Sequence, residues 1–133
     1  MANSDLIGIV VVANGRLARE LRTCLEQIIG QLILFETVEV EPGHNRESKQ
    51  QEICEAASRV DQGRGVVVVT DLFGSSPANL AFIACHGMNI VVLCGVNLPM
   101  LVKLAKSRRL ELNQAAQSAF EAGRQHIRIF DDV

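Results

Sequence analysis

The sequence contains no tryptophan and no tyrosine, and its 133 residues include only five phenylalanines. Proteins that bind single-stranded nucleic acid stack its bases on aromatic side chains, so this composition argues against such a function. The formal net charge is −2 and there is no basic run, which argues against DNA as a partner. We therefore expect a protein that binds no nucleic acid.

The sequence also lacks a segment that would insert into a membrane. No apolar run approaches the roughly 20 residues that cross a bilayer. Residues 1–7 have neither the basic start nor the long apolar region of a secretory signal. We therefore expect a cytoplasmic protein without direct membrane insertion.

Metal-binding and redox motifs are missing as well. No two of the four cysteines have the C-x-x-C spacing of a metal knuckle or a redox motif. The first turn lacks the G-x-G-x-x-G pattern of a dinucleotide-binding loop. We expect no metal, no cofactor and four reduced thiols, at Cys24, Cys54, Cys85 and Cys94.

What the sequence does contain is a regular alternation of apolar strand segments and helical patterns. Strands are predicted at residues 6–12, 32–40, 65–70 and 89–94, with a short final strand at 126–130. Helical patterns separate them, and the last helix is expected to stop near Gly123. Strands that alternate with helices predict an α/β fold with a doubly wound, mostly parallel sheet, in a single domain over residues 1–133.

The most informative stretch is Thr-Asp-Leu-Phe-Gly-Ser-Ser-Pro-Ala-Asn at residues 70–79. Asp71 directly follows a buried strand, at the carboxyl end where open α/β sheets place their sites. Ser76 is the predicted N-cap of the next helix and Pro77 its first residue. The N–H groups at such a helix start can bind an anion. Ser75 either contributes to that site or only starts the helix.

Two other loops are expected at the same edge of the sheet, namely residues 13–15 after the first strand and 95–99 after the fourth. Loops that follow neighbouring parallel strands lie side by side, which should bring Asn14 within one hydrogen bond or one bridging water of Asp71. Asn97 and Pro99 are expected to shape the third loop rather than to bind a substrate. Together the loops predict a shallow polar site suited to a transient phosphoryl group.

These motifs resemble the IIA components of the mannose-type sugar phosphotransferase system (PTS). The resemblance covers nearly the whole chain and rests on residues 7–12, 15–18, 41–43, 70–79 and 95–101. In that family, a histidine just before the glycine of the first loop takes a phosphoryl group from the phosphocarrier HPr and passes it to a IIB partner.

The resemblance also implies roles for individual residues. The aspartate and serine at the positions of Asp71 and Ser76 support the phosphohistidine in that family, and Gly15 and Ser75 are the further candidate phosphate-binding residues. It also implies that the short final strand pairs antiparallel on the sheet, in a homodimer.

The sequence departs from the family at the histidine itself, because that position is Asn14. A neutral imidazole nitrogen can attack phosphorus. A carboxamide nitrogen is delocalised into its carbonyl and is not a nucleophile, so the chain is predicted to be inactive in transfer. Asn14 can still donate a hydrogen bond to Asp71, or it is simply the N-cap of the first helix.

Three alternatives remain. The chain is a binding module of the same fold that docks HPr or a regulatory partner without carrying phosphate. A displaced acceptor at His44 is the second, since its loop lies at the same edge, whereas His86 and His126 lie elsewhere. A receiver domain phosphorylated on Asp71 is disfavoured, because residues 12–15 offer no further acidic ligands for Mg²⁺.

Overall fold

Strands and helices alternate along the chain in the order that the apolar pattern predicts. The computed structural model describes residues 5–131. Its strands are β1 (Gly8–Asn14), β2 (Phe35–Val40), β3 (Val66–Thr70) and β4 (Ile90–Cys94). Its helices are α1 (Leu17–Ile29), α2 (Arg46–Val60), α3 (Ser76–Ala84), α4 (Leu98–Lys106) and α5 (Leu112–Gln125). No helix within the described range has both the length and the apolar character needed to cross a bilayer.

The four strands form one parallel sheet in the order β2-β1-β3-β4. β1 pairs with β2 on one side and with β3 on the other. The chain therefore runs from β1 to its neighbour β2 and then crosses over β1 to reach β3 on the other side. Helices α1, α4 and α5 cover one face of the sheet, and α2 and α3 cover the other. This arrangement is the doubly wound α/β fold predicted from the sequence.

The core consists of two apolar layers, one on each face of the sheet. In β1 the side chains of Ile9 and Val11 pack toward α1, α4 and α5, whereas Val10 and Val12 pack toward α2 and α3. All four are fully buried. Successive side chains of a strand point to opposite faces, and because both faces are covered the strand is an unbroken apolar run.

Arg108, in the turn between α4 and α5, ties that turn to the amino ends of β1 and β2. Its guanidinium donates hydrogen bonds to the carbonyl oxygens of Ile7, Ile33 and Leu34, at 2.8, 2.7 and 2.7 Å. Leu34 has a positive φ of 51°, which is uncommon for a leucine and incompatible with a strand. β2 therefore begins at Phe35 instead of at the predicted residue 32.

α5 is longer than predicted. It does not stop near Gly123 but continues to Gln125, with His126 as its C-cap. Gly123 is instead a contact point between two helices, since a Cβ at this position would lie 3.2 Å from the side chain of Met100 in α4. Glycine here permits α4 and α5 to pack closely and does not end α5.

The short antiparallel strand predicted at residues 126–130 is not confirmed. His126 belongs to the end of α5, and the described residues that follow it, up to 131, form no strand. The side chains of Ile127, Ile129 and Phe130 are 75%, 91% and 79% exposed. An extended segment is stable only when it pairs with another strand, and in the single chain this segment pairs with none.

Gly8→Ala should destabilise the protein, because β1 and α2 approach each other closely at this glycine. A Cβ on Gly8 would clash with the backbone carbonyl of Val60, and a backbone atom cannot move aside as the end of a flexible side chain can. We expect a loss of about 2–3 kcal/mol in the free energy of unfolding, measured by urea denaturation. The control is Gln114→Ala on the exposed side of α5, which should change stability by less than about 0.5 kcal/mol. Equal effects in the two variants would contradict the packing argument.

Candidate functional site

Asn14 and Asp71 meet at the carboxyl edge of the sheet. Asn14 is the last residue of β1, and Asp71 directly follows β3, which pairs with β1. The backbone N–H of Asn14 donates to Oδ2 of Asp71 at 2.9 Å, and the side-chain Nδ2 donates to the same oxygen at 2.8 Å. The predicted contact between these two side chains is therefore confirmed.

The other carboxylate oxygen of Asp71 is bound by Ser75. The Ser75 hydroxyl donates to Oδ1 of Asp71 at 3.1 Å, and its oxygen accepts from the backbone N–H of Ala78 at 3.4 Å. Ser75 is thus the N-cap of α3, and the prediction of Ser76 as the cap is wrong by one residue. Asp71 accepts three hydrogen bonds in all, which fixes its carboxylate between the end of β1 and the start of α3.

Asn14 is not the N-cap of α1, contrary to one of the two sequence-based interpretations. Arg16 occupies that position and makes no side-chain capping hydrogen bond. Gly15 lies between them with a positive φ of 58°, a conformation that glycine adopts without cost, and its N–H donates to the carbonyl of Val40 at 2.9 Å. The turn after β1 is therefore anchored to β2 on one side and, through Asn14, to Asp71 on the other.

The third loop reaches the site through its backbone. The N–H groups of Gly95 and Val96 both donate to the carbonyl oxygen of Thr70, at 3.0 and 3.1 Å. Asn97 accepts from the N–H of Met100 at 2.9 Å as the N-cap of α4, and its amide donates to the carbonyl of Gly123 at 3.0 Å. As predicted, Asn97 shapes the loop and the helix start.

Two features of the site escaped the sequence analysis. Thr70 is fully buried, and its hydroxyl oxygen has no hydrogen-bond partner among the described residues. The side chains of Leu72 and Phe73, directly after Asp71, are 62% and 78% exposed, and the Phe73 ring lies 6.3 Å from that of Phe82 in α3. The exposure of Leu72 and Phe73 could have been predicted from the sequence, because an apolar pair within a polar loop has no hydrophobic core in which to be buried.

His44 is poorly arranged to act as a displaced phosphoryl acceptor. Its Nδ1 accepts a hydrogen bond from the backbone N–H of Glu41 at 3.0 Å, so in the neutral ring the proton resides on Nε2. Neither nitrogen then presents a free lone pair for attack on phosphorus. The other two histidines lie away from Asp71, since His86 is in the turn after α3 and His126 ends α5.

The thiols and acidic groups do not offer another reactive centre. All four cysteines are free, and burial raises the pKa of the Cys85 thiol to about 11, which leaves it protonated and unreactive at neutral pH. Within the described range, no three His, Cys, Asp or Glu side chains are grouped in a way that could hold a metal ion. The chemistry of the carboxyl edge therefore rests on Asn14, Asp71 and the start of α3.

Comparisons with known proteins find relatives of this chain in sequence and in fold. A family model described as EIIA-man, PTS system fructose IIA component, matches residues 8–122. The PTS system mannose-specific EIIAB component of Escherichia coli is 28% identical over 125 residues, and the aligned part is 92% of this chain and 39% of that protein. The chain thus spans about two fifths of the length of this relative.

Solved structures share the fold. The mannose/sorbose specific IIA subunit of the phosphotransferase system from Enterococcus faecalis superposes with a TM-score of 0.84 at 22% identity, covering 95% of this chain and 96% of that one. The phosphotransferase system component EIIA from Streptococcus agalactiae gives a TM-score of 0.80 at 23% identity, covering 96% of this chain and 100% of that one. At these identities the likeness concerns the fold.

Asp71→Ala should release the turn after β1. The substitution removes both carboxylate oxygens of Asp71. These oxygens accept hydrogen bonds from the backbone N–H of Asn14, from its side-chain amide and from the Ser75 hydroxyl. Because a hydrogen bond to a charged group contributes about 1.5–3 kcal/mol, we expect the Asn14 amide proton to exchange with solvent about tenfold faster or more, measured by nuclear magnetic resonance (NMR). Leu72→Ala, one residue further and without such contacts, is the control. Unchanged protection of Asn14 in Asp71→Ala would show that the contact does not order the turn.

Proposed function

The chain belongs to the EIIA-man family of PTS IIA components, and we propose that it is a IIA phosphocarrier domain in which the covalent step is disabled. The observation that carries this proposal is the identity and position of Asn14. Its side chain lies 2.8 Å from Asp71, at the end of the strand where the family resemblance places the acceptor histidine. The scaffold of a phosphoryl site is retained while the nucleophile is missing.

The chemical argument concerns the two nitrogens that could occupy this position. A neutral imidazole donates a hydrogen bond through one ring nitrogen and keeps a lone pair on the other, so a carboxylate can orient it while it attacks phosphorus. The Asn14 amide also donates to Asp71, but it has no second nitrogen, and the lone pair of its single nitrogen is delocalised into the carbonyl. Asn14 therefore reproduces the hydrogen bond of such an imidazole without its reactivity.

In this proposal the partners are those of the family. Phospho-HPr presents its phosphoryl group to the carboxyl edge in the cytoplasm, and a IIB domain docks at the same edge. Gly15, Ser75 and Ser76 are the proposed phosphate-binding residues, since Gly15 follows Asn14 and the two serines begin α3, with Ser76 exposed in its first turn. The Ser76 hydroxyl and the backbone N–H groups there would bind the phosphate oxygens, because the Ser75 hydroxyl already donates to Asp71.

A second candidate function is a binding module that acts without phosphate. It is favoured by the exposure of Leu72 and Phe73, which are 62% and 78% accessible directly beside the site. Large apolar side chains that stay exposed next to a functional loop typically contact a partner. A chain without its nucleophile keeps this surface intact, so docking of HPr or of a regulatory protein would survive the loss of transfer.

We further propose that the protein is a homodimer. β4 lies at the edge of the sheet and pairs only with β3 within residues 5–131, and all five of its residues are only partly buried. The exposed segment with Ile127, Ile129 and Phe130 carries the alternating pattern of a strand. Pairing of this segment with the β4 edge of a second copy would bury both surfaces at once.

Removal of the residues after Gln125 should abolish the dimer, because it removes the proposed pairing segment. Size-exclusion chromatography with light scattering is the measurement. The double variant Ile127→Ser with Ile129→Ser should weaken the dimer by at least about tenfold, given about 0.8 kcal/mol per buried methylene. Arg128→Gln, on the other side of the same extended segment, is the matched control. A dimer of unchanged strength in the truncated chain excludes this interface.

Asn14→His should create a phosphoryl acceptor, whereas the present chain should accept no label. The measurement is transfer from radiolabelled phosphoenolpyruvate with purified enzyme I and HPr, at neutral pH on gels that are never acidified, because phosphohistidine is acid-labile. We expect at least about a thousandfold more label on Asn14→His, since loss of a covalent nucleophile removes the step itself.

Two matched variants complete this experiment. Asn14→Gln retains an amide and should stay unlabelled, and Asn14→His combined with Asp71→Ala should label more slowly than Asn14→His alone. Label on the present chain would identify another acceptor. No label on Asn14→His would favour the binding module, which a direct HPr binding measurement then tests.

A further inference from the structure

A cavity lies at the edge of the sheet where β1 and β2 begin, opposite the carboxyl edge that holds Asn14 and Asp71. Its volume is about 430 Å³, within the range of small-molecule sites. Its lining includes the apolar side chains of Ile29, Leu32 and Ile33 and the cationic side chains of Lys106, Arg108 and Arg109. We call it the amino-edge cavity. It is about 20 Å from Asn14, the length of β1 at about 3.3 Å per residue.

Arg108 is the unusual member of this cavity, because its charge is buried and has no counter-ion among residues 5–131. Its side chain is 5% exposed, and its three hydrogen bonds go to neutral carbonyl oxygens. A guanidinium has five N–H groups, so two of them remain available. Burial lowers the pKa of Arg108 to about 10, which leaves the group charged at neutral pH.

The other two cations of the cavity, Lys106 and Arg109, can also contact a ligand. Arg109 lies 3.9 Å from the carboxylate of Asp5, and the two side chains are 48% and 54% exposed. A second ion pair at this edge joins Arg22 to Glu26 at 3.6 Å, and Glu26 also accepts a hydrogen bond from the backbone N–H of Leu32. The exposed pair of Arg109 and Asp5 is weak at its distance of 3.9 Å, so an incoming anion can bind Arg109 in place of Asp5 or together with it. Buried charges in proteins are normally paired, and the unpaired charge here adjoins a cavity.

We propose that the amino-edge cavity binds a small organic anion, whose carboxylate or phosphate group pairs with Arg108, Lys106 and Arg109 and whose apolar part contacts Ile29, Leu32 and Ile33. The mixed lining decides the class of ligand. An inorganic ion would leave the apolar wall unused, and a neutral apolar molecule would leave the guanidinium unpaired. This site is independent of Asn14 and of the proposed phosphoryl chemistry.

The test measures the binding of four probes to the full chain, by calorimetry and by NMR of the backbone amides. Hexanoate and hexyl phosphate carry an anion on an apolar chain, and acetate and inorganic phosphate are the same anions without it. We expect at least about tenfold tighter binding of the long probes, since each buried methylene contributes about 0.8 kcal/mol. The better of the two long probes identifies the anionic group. The changes in backbone amide chemical shift on binding should be largest at residues 29–33 and 105–109.

Variants assign the binding to these side chains. Lys106→Gln combined with Arg109→Gln should weaken binding of the long probes by at least about tenfold while the thermal midpoint stays near that of the unmodified chain. The matched control is Lys103→Gln on the same helix, which should leave binding unchanged. Lys103 lines a neighbouring groove that Lys106 also borders, but it does not line the amino-edge cavity.

Three results would overturn the proposal. These are no binding of either long probe at millimolar concentration, equal binding by the double variant and the unmodified chain, or amide shifts at the carboxyl edge around Asn14 instead of the amino edge. Asp5→Asn gives a further readout, because removing the competing carboxylate should tighten binding.

Discussion

The parallel pairing of β1 with β3 is the constraint on which the site depends. The register places Val12 opposite Thr70, so the two strands end next to each other and Asn14 and Asp71 emerge side by side. In a strand the side chains alternate between faces, and a shift of one residue would reverse every one of them. The fully buried apolar residues of both strands therefore fix not only the core but also which side chains meet at the carboxyl edge.

The Asp71 carboxylate organises that edge once the strands have placed it. One oxygen holds the backbone and side chain of Asn14, and the other holds the Ser75 hydroxyl at the start of α3. Asparagine supplies a hydrogen-bond donor where the family resemblance places a histidine. In the proposed function, this position cannot form a bond to phosphorus, but the observed contact between Asn14 and Asp71 remains.

The parts of the molecule that the sequence predicted are those decided by local patterns. Apolar runs gave the strands, and the position of loops after neighbouring parallel strands gave the contact between Asn14 and Asp71. The errors arose where distant contacts decide. Gly123 looked like a helix stop, but α4 packs against it and α5 continues. Arg108 binds carbonyls about seventy to a hundred positions away in the chain, the separations being 75 and 101 for Ile33 and Ile7, and no local pattern contains that information.

The two edges of the sheet each hold a charge that is stabilised mainly by backbone or neutral polar groups, and they differ in access to water. Asp71 is half-buried and accepts three hydrogen bonds, so water can complete its solvation. Arg108 is 5% exposed and donates to three carbonyl oxygens, so water solvates little of its charge. An uncompensated charge costs more free energy where the surroundings exclude water. The stronger demand for a counter-ion therefore lies at the amino edge, away from the site to which the family resemblance draws attention.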